Sequence, residues 1–330
     1  MDVCKVLEKN ILGRYERLYG KNIQDDIKKG KIRPEIQVEY GLTESIDKPY
    51  ADKNGIIHIQ KQYVDFLWIL IYGAWVQYEE SVMKNELKKE GKKICQDPQI
   101  ITDSQILLNS VETKKIAPWP LPHISPSDNS FYSNRVNGIF LDALCILLFH
   151  ETSHILNKHF ETKKIIKKNI EDLKLSKKGE GKEKIEEIEK KIQEEKLKLK
   201  EIEKEADVFA LEHVLSDSKE LEKDFVFKGK SVSIVISFMS FLFLLDDPSL
   251  VKQDEHPDLD ERLFNAIEWM DIQENRHAYY IYAFADLLIR EFYKKHQDFY
   301  KALGKKFNDT TVETAKDLFS MDIETIKVEL

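Results

Sequence analysis

What the chain has little of narrows it first. Three cysteines in 330 residues, Cys4, Cys95 and Cys145, are too few and too scattered for a disulfide framework or a thiolate zinc site. A reducing cytoplasm is therefore the expected location. Positive charge is not in excess: the formal net charge is −8, so the basic face of a general nucleic-acid binder is missing and no nucleic-acid partner is expected. Long apolar runs are missing too. The three longest, 66-FLWILIYGAWV-76, 139-IFLDALCILLF-149 and 231-SVSIVISFMSFLFLL-245, each fall short of the ~20 residues that span a bilayer, so no membrane association is expected. The N-terminal MDVCKVLEKNILGRYERLYG reads as an amphipathic helix and not as a signal peptide. Proline is sparse, and four of the nine fall in 117-APWPLPHISPSDNS-130, which therefore crosses the surface as an extended loop.

What is present is charge, at 33% of residues, arranged in patterns. Residues 35-EIQVEYG-41 and 55-GIIHIQ-60 alternate apolar and polar, the second after a DKNG turn signal, and read as strands of a small sheet. A helix is expected from about 62 to 89, and a mostly buried one from 140 to 160. From Lys163 to Lys204 there are 15 lysines against 11 acidic residues, about +4 in an acidic chain. Ile185, Ile188, Ile192, Leu199 and Ile202 keep a 3-4 spacing there, and Gly179-Glu180-Gly181 interrupts the run. That pattern predicts a helical hairpin with a narrow apolar seam, either a solvated insertion or an arm that docks a partner. Further helical patterns follow at 231–245, 258–270 and 276–302, and the last 28 residues are polar. The whole reads as one α+β domain, mostly helical with a small N-terminal sheet. Its parts are 1–116 (α+β), 117–162 (proline loop and buried helix), 163–204 (charged hairpin) and 203–330 (C-terminal helices).

The chemistry is concentrated in 147-LLFHETSHIL-156. On a helix, positions i and i+4 share a face, so His150 and His154 can aim imidazole nitrogens at one zinc ion. Glu151 lies about 100° around the helix from His150, beside the metal and not on it. From there its carboxylate can take a proton from water that the metal has made acidic and return it to a leaving amine. Leu147, Leu148, Phe149, Ile155 and Leu156 make this a buried helix, where three titratable groups without partners would be strongly destabilising.

A catalytic zinc takes three protein ligands and leaves one position open. His159 is five residues past His154, but a metzincin needs a histidine six past and a glycine at the turn. Asn157 and Phe160 stand at those places, so His159 reads as structural or supporting. His213 is possible but isolated. The stronger candidate is 203-EKEADVFA-210, where Glu203 and Asp207 are again i and i+4, with Ala206 and Ala210 allowing close helix packing. Glu203 would ligate, and Asp207 would accept a hydrogen bond from the far nitrogen of a ligand histidine, His150 by preference. In 256-HPDLDER-262, Pro257 suits a first helical turn. His256 and Arg262 are either substrate-side groups that stabilise an oxyanion or part of a capped surface helix.

HExxH, ExxAD and HPxxxxR in that order resemble the gluzincin metallopeptidases, and among soluble proteins the Lit-type phage-exclusion peptidases in particular. In those, a proline-containing loop, here 118-PWPLP-122, precedes the HExxH helix. The resemblance covers roughly residues 118–262, and the charged hairpin departs from it. It implies a zincin-like fold and a Zn2+ cofactor held by His150, His154 and Glu203. Glu151 is then the general base, Asp207 the supporting carboxylate, and His256 with Arg262 the substrate-side groups. It also implies a protein substrate and a role in phage exclusion; a host translation factor is the family's target, which motifs alone do not carry to this chain. The alternative is a regulatory or interaction protein that keeps a peptidase-like zinc fold and cleaves one partner or none. The oligomeric state has no signature in the sequence.

Overall fold

The computed structural model describes residues 3–22, 33–41, 46–93, 96–111, 121, 123–128, 130–215 and 224–244, with isolated positions between 261 and 291. These form a mostly helical α+β structure. Helix α1 (Val3–Asn22) buries Val3, Leu7, Ile11, Tyr15 and Leu18, the 3-4 spacing of an amphipathic helix. Strands β1 (Glu35–Glu39), β2 (Tyr50–Ala51) and β3 (Ile56–Gln60) follow. The sheet order is β1-β3-β2, with β1 parallel and β2 antiparallel to β3. The DKNG segment turns β2 into β3. The Asp52 carboxylate accepts from the N–H groups of Asn54 (2.8 Å) and Ile56 (3.0 Å) and replaces the ladder at the turn. Two of the strands match the alternating segments; β2, two residues long, has no sequence pattern to announce it.

The helix expected from 62 to 89 runs as α2 (Lys61–Gln77), a π-helical turn (Tyr78–Met83) and α3 (Lys84–Lys89). Every residue of α2 from Tyr63 to Val76 is buried, so it is a central helix and not a surface one. Helix α4 (Pro98–Ser110) was not anticipated, although Asp97-Pro98 is a start signal: Asp97 caps the N–H groups of Gln99 and Ile100, with proline in the first turn. Of the proline segment, the described residues near 121–128 are irregular, and Asn137 ties them to the next helix by donating to the Pro126 carbonyl (2.8 Å).

That next helix, α5 (Phe131–Leu156), carries HExxH. At 26 residues it is long and apolar enough to cross a membrane, longer than the run read from sequence, but most of its apolar window is buried inside the protein. It is also shorter at its C-terminal end than expected. The chain reverses at Lys158, which is left-handed (φ 55°), and α6 (His159–Ser176) starts anew. The hairpin is present, wider than 163–204: α6 pairs with α7 (Lys182–Leu215) through Ile166, Ile170, Ile188, Ile192, Leu199 and Ile202. Gly179 (φ 86°) takes the left-handed turn between them. Helix α7 does not end with the arm; it continues into the core and packs on α5, and its Ala206 and Ala210 are buried. Helix α8 (Asp224–Met239), followed by a 3-10 turn (Ser240–Leu244), also packs on α5. The serines of its apolar run are explained there: Ser233 and Ser237 donate to the α5 carbonyls of Ile139 (3.2 Å) and Ala143 (3.1 Å). The patterns at 258–270 and 276–302 are described only at isolated helical positions, and the last 28 residues lie outside the described residues.

Candidate metal centre

Helices α5 and α7 bring two imidazoles and a carboxylate into one buried cluster. Nε2 of His150 and Nε2 of His154 face each other at 3.2 Å. Glu203 Oε2 is 3.2 Å from His150 Nε2, and its Oε1 is 3.6 Å from His154 Nε2. Among the described residues, His150, His154 and Glu203 are the one group of three or more His, Cys, Asp or Glu side chains placed to hold a metal ion. The i,i+4 spacing aligns the two histidines on one face of α5, and the packing of α7 on α5 brings Glu203 to them.

The surroundings of the three side chains differ. His150 Nδ1 bonds Asp207 Oδ1 at 2.8 Å, and Arg262 grips the same carboxylate with Nε on Oδ2 (2.7 Å) and Nη2 on Oδ1 (2.5 Å). The guanidinium lies over Phe238 and Phe241, 4.6 and 5.7 Å from the ring centroids. Burial alone would raise the Asp207 carboxyl; the charge of Arg262 and the His150 bond outweigh it and hold it down at about 2. Burial alone would lower His150, but hydrogen bonds to Asp207 and Glu203 push it up to about 9. His154 is pulled down to about 4 by burial. The Lys163 ammonium pairs with Glu203 Oε1 and stands 3.5 Å from His154 Nε2.

Glu151 faces a small enclosed cavity between α5 and the loop before β2. Its Oε2 accepts the Ala51 N–H at 2.9 Å, from the β2 edge that does not face β3. Lys48, Pro49, Leu147 and Phe241 line the same cavity with Glu151, His150 and Arg262. Burial raises the Glu151 carboxyl, opposed by His150 and Lys48, while burial and then Arg262 lower the Lys48 ammonium. Among the described residues Lys48 makes no ion pair; its ammonium rests 5.1 Å from the Phe241 ring centroid.

Six of the seven residues singled out in the sequence, His150, Glu151, His154, Glu203, Asp207 and Arg262, come together here; His256 lies outside the described residues. Arg262 touches the cavity, but its hydrogen bonds go to Asp207. His213 stands apart, bonded through Nδ1 to the Phe209 carbonyl of its own helix and stacked on Phe209. His159 lies behind His154, with Nδ1 against Nδ1 at 2.8 Å. Lys48, Ala51 and Lys163 were missed. A lone lysine, a backbone N–H and one lysine among fifteen in a charged run carry no pattern that sequence could reveal.

A helix pair that holds two histidines and a glutamate around one point, with a further carboxylate alongside, is an arrangement able to hold a metal ion. The family model for Peptidase U49 matches residues 57–285, and the chain belongs to that family, the Lit peptidases, a zinc metallopeptidase family. The match takes in the whole cluster and leaves Lys48 and Ala51 outside it. No curated protein and no solved structure matches the chain.

Proposed function

We propose that the chain is a zinc-dependent endopeptidase of the gluzincin kind, zincin-like in fold, that hydrolyses a peptide bond in a protein substrate in the cytoplasm. The observation that carries this is the spacing of the three ligand groups. A tetrahedral site with ligand distances of about 2.0–2.1 Å has edges of about 3.3–3.4 Å. The separations between His150, His154 and Glu203 are 3.2, 3.2 and 3.6 Å. Zinc bound there supplies a Lewis acid that makes water acidic near neutral pH and polarises a carbonyl.

The chain's own groups do the rest. Glu151 accepts the proton of the attacking water at its carboxylate and passes it to the departing amine. The Ala51 N–H holds that carboxylate in place, and burial makes it a stronger base than an exposed glutamate. Asp207 fixes the His150 ring, and Arg262 keeps Asp207 ionised and still. Lys48 lines the same cavity, and its side-chain nitrogen is the group assigned here to meet negative charge developing on the substrate carbonyl oxygen. His256 and Arg262 are carried as substrate-side groups on the resemblance, and for Arg262 the geometry favours the task of holding Asp207.

Phage exclusion and a host translation factor as target follow from the family resemblance alone. A second reading, a regulatory protein that binds and does not cleave, is favoured by Ile165, Leu175 and Leu197, each about three-fifths exposed on the hairpin arm. Glu151→Gln separates the two. Under the peptidase reading, new protein N-termini that appear on expression of the parent vanish with the variant, while zinc content is unchanged. Identical N-termini in both would sink it.

A further inference from the structure

His159 is buried at the first position of α6, and the ligand cluster does not include it. Its Nδ1 lies 2.8 Å from Nδ1 of His154, and the rings meet edge to face at 68°. Which nitrogen carries the proton follows from the other side of His154. Its Nε2 is turned to His150 and Glu203, and a ligating nitrogen must be bare. The proton of neutral His154 is therefore on Nδ1, and Nδ1 of His159 has to accept it. The remaining His159 proton sits on Nε2, 3.5 Å from Glu205 Oε2.

We propose that His159 is a positioning residue of the metal centre: it accepts the His154 Nδ1–H, fixes the tautomer that leaves Nε2 free to ligate, and locks the ring's orientation. This rests on the reading of His150, His154 and Glu203 as metal ligands. The backbone is shaped for the contact. On an unbroken helix a residue five past His154 would stand about 140° around the axis and could not reach its ring. The left-handed Lys158 folds the chain back instead, a conformation that costs a non-glycine residue about 1–2 kcal/mol. The turn is tied by Asn157, whose Nδ2 donates to Ser153 Oγ (3.3 Å) and to Glu205 Oε1 (3.2 Å). Glu205 thus touches both the turn and His159, but its side chain is 60% exposed, so the constraint comes mainly from the buried imidazole pair. The two histidine ligands are supported unequally, His150 by an ionised carboxylate and His154 by a neutral ring.

Asparagine and leucine in place of His159 have nearly the same shape, and asparagine keeps an acceptor where Nδ1 stood. Zinc affinity of the full chain is measured by competition with a chelator. His159→Leu should weaken it by about 10–100-fold, and His159→Asn should stay within about threefold of the parent. Equal affinity in the leucine variant and the parent, or equal losses in both variants, overturns the proposal. If the leucine variant does not fold, histidine 15N spectra of the zinc-loaded parent decide. His154 must be the Nδ1–H tautomer and His159 the Nε2–H tautomer, and the reverse overturns it. A parent that binds no zinc removes the metal-site reading itself, a failure distinct from a leucine variant that binds as well as the parent.

Discussion

Asp207 lies 2.8 Å from Nδ1 of His150 although 57 residues separate them in the chain. The same carboxylate takes two bonds from Arg262, 55 residues further on. One buried acid therefore joins the HExxH helix, the glutamate helix and Arg262. Its removal strands a guanidinium and an imidazole inside the protein.

Asp207→Ala should therefore lower the stability of the metal-free protein by about 3–5 kcal/mol in urea titration. It should also weaken zinc binding by about 10–100-fold. Arg262→Lys, which keeps the charge but not the two-pronged geometry, should fall between variant and parent. An alanine variant as stable as the parent would mean that the carboxylate is not the hub described here.

Zinc uptake should release close to one proton at pH 6, below the range in which water on the metal gives up its own. His150 is held up at about 9 without metal, and His154 is already neutral with a value of about 4. Only His150 then has a proton to give when both rings ligate. For stability the sign is opposite in the two forms. A raised histidine stabilises the metal-free protein fully below its ordinary value of 6.5, and that contribution is lost as pH rises through about 9. Zinc stabilisation grows over the same interval. Calorimetry in two buffers of different ionisation enthalpy counts the protons, and a count of zero or two contradicts this charge assignment.

Gly73→Ala tests the packing of α2 on α4. A Cβ there would sit 2.5 Å from Leu108 Cγ and 3.0 Å from the Ser104 carbonyl oxygen, so α4 has to retreat. The expected loss is about 1–3 kcal/mol, read from denaturant unfolding. No loss would place α4 further from α2 than described.

The hairpin arm should loosen without the core. Ile188→Ala and Ile192→Ala each remove a buried side chain from a seam only two helices thick, at about 2 kcal/mol apiece. Hydrogen exchange should accelerate over 166–199 and stay slow over 139–149. Equal acceleration in both segments would show that arm and core unfold together.

The sequence by itself determined the features that repeat at short range. His150 with His154 and Glu203 with Asp207 are i,i+4 pairs, and one turn of helix is enough to align each. The arm was legible from its isoleucine spacing and its glycine break, and two of the strands from their alternation. Helix α4 has only its Asp-Pro start to mark it, and β2 is too short for any period to show.

Only the tertiary structure decided which groups meet across the chain. Arg262 reaches Asp207, the Ala51 N–H reaches Glu151, and Lys48 lines the cavity, contacts that join residues far apart in the chain. His159 reads from the sequence as structural or supporting, but its meeting with His154 depends on the left-handed turn at Lys158, which helical periodicity cannot foresee. A pattern of 3.6 residues per turn describes one helix face; which face of another helix it meets depends on turns and packing far along the chain.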